Sequence, residues 1–250
     1  MGLLLEIACF NEESAVNAAQ GGADRIELCQ DYQSGGLSPH PSVLQAVKSR
    51  VSIPVYVMIR PHSRDFCYDK DEFETMKATL QLMNNSGADG FVFGILHETP
   101  YQGGTDRNLW VDIARNKKLV QVAGGKPCTF HRAFDCIPES NWDTALEDIR
   151  ECGFAAVLTS GGPSSTNAVD CMDGLADLVN RQSFNPESHP QAGRRALEVI
   201  VGGGVRSTNI GVLREKTLAT NFHSSGLSSS SEIASITAVQ DLKRALFYHL

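Results

Sequence analysis

Long apolar segments are missing from this sequence. No hydrophobic run approaches the roughly 18 residues that a membrane-spanning helix needs, so we expect no transmembrane segment. The first ten residues, MGLLLEIACF, carry no basic cluster ahead of their apolar stretch, and Glu6 interrupts that stretch. This start predicts a first β-strand instead of a secretory signal peptide.

Basic clusters are lacking too. The 22 lysines and arginines are outnumbered by 29 aspartates and glutamates, which gives a formal net charge of -7. An excess of negative charge opposes nonspecific binding to nucleic acid and to anionic lipid. We therefore expect neither nucleic acid nor a membrane surface among the partners of this chain.

Closely spaced cysteine pairs are absent as well. The seven cysteines are an odd number, are scattered along the chain and form no C-x-x-C motif. This distribution argues against a disulfide framework and against a closed structural zinc site, and it predicts a reducing, cytoplasmic setting. The G-x-G-x-x-G fingerprint of dinucleotide-binding folds is also missing, so no nucleotide cofactor is expected.

The chain does contain short apolar strands that alternate with helical patterns. Repeating β–α pairs with short turns imply a parallel sheet, and eight pairs imply that the sheet closes. Eight strand candidates lie near residues 3–9, 24–29, 54–60, 90–95, 127–132, 155–160, 198–202 and 221–224.

The length of 250 residues is typical of one (β/α)8 barrel. We predict an α/β fold, a single-domain TIM barrel over residues 1–250, with a doubly wound open sheet as the alternative. Residues 182–196 lack periodicity and carry Pro, Gly and Ser, so we expect a flexible surface insertion there.

Charged residues fall on the inward-facing positions of several predicted strands. In a parallel barrel one parity of each strand packs on the helices while the other converges on the axis. Charges at the axis must pair with one another as a buried ion network or serve a ligand. The predicted lining comprises Glu6, Arg25, Glu27, Arg60, His131 and His223, with Ser160 near the end of the sixth strand.

One hypothesis is an enzyme of unknown reaction that acts on a small anionic or phosphorylated metabolite. Its candidate catalytic residues are Glu27, Arg60, His131, Asp135 and His223. Arg60 would clamp the anion and His131 would transfer protons, with Glu27 or Asp135 orienting the imidazole. The loops after the last two strands are expected to bind the anion, largely through backbone N–H groups, at Gly203, Gly204 and Ser224.

The other hypothesis is a Cu(I)-binding protein. Cys9 and Cys29 end adjacent predicted strands, and soft thiolates select Cu(I) or zinc. Their parities disagree, because Cys29 follows the polar face of its strand and Cys9 follows the apolar face. Both cysteines can instead act as small buried hydrophobic residues.

Several segments together resemble the CutC copper homeostasis family. The resemblance runs in one order along nearly the whole chain, over Ala23 to Cys29, Gly35 to Pro39, Met58 to Pro61, Asp65 to Tyr68, Gly87 to Gly90, Thr129 to Asp135, Leu158 to Gly162, Gly202 to Gly204 and Phe222 to Ser224. It implies a TIM barrel, a cytoplasmic setting, a homo-oligomer and a role in copper tolerance or trafficking. It also implies Cu(I) ligation at Cys9 and Cys29, while a third position where the family has a proposed cysteine ligand is Ser224 here.

Overall fold

Eight parallel strands close into a barrel, which confirms the predicted (β/α)8 architecture. The structure, a computed structural model, describes residues 2–99, 108–182, 197–228 and 232–247. Its strands are β1 (Leu4–Cys9), β2 (Arg25–Leu28), β3 (Val55–Met58), β4 (Gly90–Phe93), β5 (Leu96–Thr99), β6 (Asn108–Val111), β7 (Cys128–Phe130), β8 (Ala156–Thr159), β9 (Glu198–Val201) and β10 (Asn221–Ser224).

The order of strands around the barrel is β1-β10-β9-β8-β7-β4-β3-β2, so β1 pairs in parallel with both β2 and β10 and closes the ring. β5 and β6 form a separate antiparallel hairpin outside the barrel, which the sequence did not predict. The insertion expected at 182–196 lies outside the described residues, except for Gln182.

Helices follow the strands and cover the outside of the barrel. They are α1 (Glu12–Gly21), α2 (Pro41–Lys48), α3 (Lys70–Asn85), α4 (Ile113–Val122), α5 (Trp142–Cys152), α6 (Met172–Gln182), α7 (Ile210–Thr217) and α8 (Ile236–Phe247). Asn11 caps α1 by accepting a hydrogen bond from the Ser14 N–H at 2.8 Å, and Gly22 ends this helix at φ 93°. Within the described residues, every helix is too short or too polar to cross a membrane.

The alternation of side chains along each strand separates two environments. Leu5, Ile7 and Cys9 of β1 are fully buried in the shell between the strands and the helices. Glu6, with the opposite parity, faces the lumen of the barrel, where it is also fully buried. A short 3-10 helix over Arg132–Cys136 follows β7 and brings further polar side chains to the rim.

Candidate functional site

An ion network occupies the lumen where β2, β1 and β10 lie side by side. Glu6 is in register with Arg25 on one neighbour and with His223 on the other. Its Oε2 accepts from Arg25 Nε at 2.5 Å, and its Oε1 lies 2.8 Å from His223 Nδ1. Burial alone would raise the pKa of Glu6, but Arg25 and His223 together lower it to about 2. Glu6 is therefore an ionised anchor that orients the imidazole.

Glu27 faces the same imidazole from the other side. Its Oε2 lies 3.7 Å from His223 Nε2, while its buried Oε1 has no hydrogen-bond partner among the described residues. Burial raises the pKa of Glu27 to about 7, although the attraction of His223 opposes this shift. Burial also disfavours a charged His223, yet the attraction of Glu27 and Glu6 raises its pKa. This carboxyl–imidazole pair can therefore hold or release a proton near neutral pH.

Cys29 lies directly beyond β2, next to Glu27. Its Sγ is 3.6 Å from Glu27 Oε2, and its side chain belongs to a small apolar cluster with Met58 and Val92. Burial, and then the nearby Glu27 carboxylate, raise the pKa of the Cys29 thiol well above its usual range. The side chain is almost completely buried. Its sulfur is therefore a protonated, lumen-facing thiol beside a carboxyl group that can accept its proton.

The backbones of Cys9 and Cys29 are hydrogen-bonded to each other, but their side chains lie in different environments. The Cys29 N–H donates to the Cys9 carbonyl at 2.8 Å, whereas the Cys9 thiol turns toward the Ile7 carbonyl at 3.5 Å. The Cys9 side chain packs in the outer shell between the barrel and the helices. Burial raises the pKa of this thiol too. Ligation by this pair stays a prediction from the sequence.

A group of three side chains fits the ligand preferences of a metal ion. Glu6, Glu27 and His223 each offer one ligand atom, and these atoms lie within 4.8 Å of one another. Two carboxylates and an imidazole suit a borderline or hard cation, whereas the neighbouring Cys29 sulfur adds a soft ligand. Arg25 already neutralises Glu6. The side chains that remain free to bind a metal ion are therefore those of Glu27, His223 and Cys29.

Arg60 is buried at the rim, where backbone carbonyls accept from both Nη atoms while the buried Nε has no hydrogen-bond partner among the described residues. Nη1 donates to the carbonyls of Ser34 and Gly36 at 3.2 and 3.3 Å, and Nη2 donates to that of Ser63 at 3.2 Å. The guanidinium also stacks on Phe66, with Cζ 4.8 Å from the ring centroid. Arg60 thus ties together the loops after β2 and β3. The anion clamp stays a prediction, and Nε is the donor that remains for it.

His131 follows β7 and is buried against Phe66, with ring centroids 4.7 Å apart. Burial, reinforced by the positive charge of Arg60, lowers its pKa to about 3. Its Nδ1 accepts from the Ala133 N–H at 3.3 Å, so the neutral ring carries its proton on Nε2. A group that stays neutral across the physiological range is poorly suited to the proton transfer predicted from the sequence.

Asp135 holds the loop after β8 and contacts neither predicted histidine within the described part of the chain. It accepts from Thr159 Oγ1 at 2.5 Å, from Ser160 N–H and Oγ at 3.1 and 3.0 Å, and from Arg132 Nε at 2.7 Å. No contact supports the predicted role of Asp135 in orienting His131, whereas Glu6 and Glu27 lie against the other histidine, His223. Sequence reasoning assigned no role to Arg132, although its spacing of three residues from Asp135 predicts contact within one turn of helix.

The expected anion-binding residues are divided between two environments. Gly203 and Gly204 have φ values of 94° and 74°, which glycine adopts without strain, and they adjoin Arg132 and Asn167 respectively. Ser224 is buried, and its hydroxyl donates to the Val205 carbonyl at 2.8 Å and accepts from the Gly226 N–H at 3.3 Å. The Ser224 hydroxyl therefore supports the loop after β9 from within.

Comparisons with known proteins agree on one family. Residues 3–228 match the model of the CutC family. The human copper homeostasis protein cutC homolog is 41% identical over 227 residues, which cover 91% of this chain and 74% of that protein. The Drosophila melanogaster homolog is 34% identical over 230 residues, covering 91% and 79%.

Solved structures give the same result. A CutC structure from Streptococcus agalactiae superposes with a TM-score of 0.75 at 25% identity, covering 89% of this chain and 98% of that one. Phosphoribosyl anthranilate isomerase from Thermococcus kodakaraensis superposes with a TM-score of 0.62 at 11% identity, covering 98% and 99%. The second likeness is one of fold alone.

Proposed function

The chain belongs to the CutC family, and from this premise we propose that it binds a Cu(I) ion in the upper lumen of its barrel. The relatives it matches are named copper homeostasis proteins. We place the same function in this protein, as a role in copper tolerance or trafficking in a reducing cytoplasm, where all seven cysteines stay free. A homo-oligomer, as the family resemblance implies, is part of this proposal.

The observation that carries the proposal is the spacing of three ligand atoms. Cys29 Sγ and His223 Nε2 lie 3.6 and 3.7 Å from the same oxygen, Glu27 Oε2. Metal–ligand bonds of about 2.0 to 2.3 Å in a tetrahedral site separate neighbouring ligands by roughly 3.3 to 3.8 Å. The spacing thus favours a single ion shared by these groups, and the thiolate and imidazole are ligands that copper accepts.

Glu27 has a second role in this proposal, as the acceptor of the proton from the Cys29 thiol. Cysteine binds a metal ion as the thiolate, so this proton has to leave when the ion binds. The Cys29 thiol already donates toward Glu27 Oε2. A carboxyl group with a pKa of about 7 is able to take up the thiol proton and pass it on to solvent as the ion enters, which leaves its oxygen free to bind the ion. We assign Cys29 as the principal ligand and give Cys9 a smaller part, because its sulfur points toward the Ile7 carbonyl.

Titration with Cu(I) against a competing chelator, without oxygen and with a reductant, tests this function. We expect stoichiometric uptake by the native protein and at least tenfold weaker binding by Cys29→Ser, about 1.4 kcal/mol. Cys128→Ser is the matched control, since Cys128 is an equally buried thiol of the outer shell. Unchanged affinity in Cys29→Ser, with its fold verified by circular dichroism, would refute the proposal.

A second candidate function rests on the Glu27–His223 pair. A carboxyl group and an imidazole that exchange protons near neutrality, at the carboxyl end of barrel strands, suit general acid–base catalysis on a small anionic metabolite. Native purification under reducing conditions, followed by mass spectrometry, tests this alternative. It predicts a retained small anion that His223→Gln protein releases, and copper-only occupancy would count against it.

A further inference from the structure

A second, separate group of polar atoms lies on the rim above β7, β8 and β9. At its centre is Arg132, whose side chain is about one-third exposed, at 34%. Nε donates to Asp135 at 2.7 Å, and Nη2 donates to Ser160 Oγ at 3.2 Å and to the Ser164 carbonyl at 3.1 Å. Since the Asp135 side chain is itself completely buried and held by three further hydrogen bonds, the guanidinium group is fixed in orientation.

The glycine loop after β9 approaches this guanidinium group closely. A Cβ atom at Gly203 would lie 3.0 Å from Ser160 Cβ and 3.4 Å from Arg132 Cζ, a contact that a larger residue could make only by displacing its neighbours. A Cβ atom at Gly204 would meet Asn167 Oδ1 at 2.7 Å. Consecutive left-handed glycines therefore place the backbone, without side chains, against the fixed arginine.

Several donors in this group have no acceptor. Within the described residues, nothing accepts a hydrogen bond from Arg132 Nη1 or from the backbone N–H groups of Gly203 and Gly204. The carboxylate of Asp135 lies behind the guanidinium group and is fully used by its own donors. The open side of the group thus presents hydrogen-bond donors, one of them on a guanidinium group whose charge is paired with that of Asp135.

We infer that Arg132, Gly203 and Gly204 form a binding site for the phosphate group of a phosphate monoester, separate from the copper ligands. A phosphate ester offers three terminal oxygens with negative charge, which match one guanidinium nitrogen and two adjacent backbone N–H groups. Because Arg132 Nε and Nη2 are already bonded, the guanidinium edge that would bind a planar carboxylate in two places is occupied. The three donors that remain equal the three terminal oxygens of a phosphate ester and outnumber the two oxygens of a carboxylate, so we expect phosphate to be preferred.

The site lies on different strands from the copper ligands. Cys29 and Glu27 belong to β2 and its end, and His223 belongs to β10, whereas Arg132 and Gly203 follow β7 and β9. Loss of copper binding therefore leaves the phosphate site intact, and the two proposals can fail separately. A phosphorylated metabolite bound at the rim would extend over the barrel mouth toward the lumen.

Calorimetric titration of the copper-free protein with inorganic phosphate tests the inference, at constant ionic strength set by sodium chloride. We expect binding to the native protein and to Cys29→Ser, and at least tenfold weaker binding to Arg132→Gln. Acetate should not compete. Arg244→Gln is the matched control, because this exposed arginine of α8 pairs only with Asp241 among the described residues and carries the same charge.

Arg132→Lys provides a second variant in case the glutamine variant does not fold. It keeps the positive charge beside Asp135 but removes the Nη1 donor, so phosphate affinity should again fall. No phosphate binding by the native protein would overturn the inference. Equal binding by whichever Arg132 variant folds, or equal competition by acetate, would overturn it as well.

Discussion

Glu27 and Cys29 lie two residues apart at the end of β2, and the Cys29 thiol points at Glu27 Oε2 across 3.6 Å. Burial raises the pKa of both groups, and the Glu27 carboxylate further opposes ionisation of the Cys29 thiol, whereas the hydrogen bond from that thiol favours the ionised form of Glu27. In the copper-binding proposal, the ion therefore displaces protons from both groups as it enters. Binding of the ion and release of protons are coupled at this one contact.

Copper binding should release protons at neutral pH, because the Cys29 thiol, and part of the Glu27 population, are protonated beforehand. Calorimetry in two buffers of different ionisation enthalpy measures the number released. We expect Glu27→Gln to release fewer protons than the native protein. An unchanged number of released protons would show that Glu27 loses no proton when the ion binds.

Replacement of Glu27 should alter how stability depends on pH. The pKa of this group is about 7 in the folded protein against an ordinary value of 4.5, so the folded state holds the extra proton and loses stability as pH rises between these values. Glu27→Gln removes this loss. Relative to the native protein, the variant should gain up to about 1.4 kcal/mol per pH unit across the window. A constant difference in urea midpoints from pH 4.5 to 7 would contradict the shift.

Replacement of His131 should change the pH dependence of stability in the opposite direction to replacement of Glu27. Its pKa of about 3 lies below the ordinary histidine value of 6.5, so the unfolded chain binds the extra proton between these values and the native protein gains stability as pH rises. His131→Asn removes that gain. The variant should therefore be less destabilised at about pH 5 than at about pH 7. Urea unfolding at both pH values measures this, and an equal difference would show that the ring is not held neutral by burial.

Loss of the Glu6 carboxylate should be strongly destabilising. Glu6→Gln leaves the buried Arg25 without its counterion, which typically costs about 3 to 5 kcal/mol. Glu12→Gln is the control, because Glu12 and its partner Arg50 have side chains that are 38% and 54% exposed. An exposed pair of this kind contributes at most about 1 kcal/mol. Equal losses in the two variants, measured by chemical denaturation, would refute a structural role for the lumen network.

The barrel and its inward face were predictable because two repeating patterns determine them: the alternation of strands and helices, and the alternation of side chains along each strand. Helical and strand patterns alternate eight times, and parity along β1 and β10 places Glu6 and His223 on the axis. The hairpin of β5 and β6 was not predictable in this way. It lies within a connection between barrel strands, and its pairing depends on contacts outside the β–α repeat.

Parity could not show what each charged side chain bonds to. β3 ends at Met58 and β7 ends at Phe130, so Arg60 and His131 fall in rim segments where strand alternation no longer applies. The acceptors of Arg60 are backbone carbonyls, which no residue pattern specifies. The proton-exchanging pair, Glu27 and His223, was among the candidates, but its distinct role depends on burial that only the folded chain reveals.

The contact between Glu6 and His223 joins residues 217 positions apart, across the seam where the first and last barrel strands meet. During translation, Glu27 and Cys29 are therefore synthesised long before His223, the third of the proposed ligand residues. While the chain is still being synthesised, those two groups have no third ligand and no closed wall around them. In the copper-binding proposal, metal loading therefore follows translation of β10, and newly made chains pass through a stage at which they cannot retain the ion.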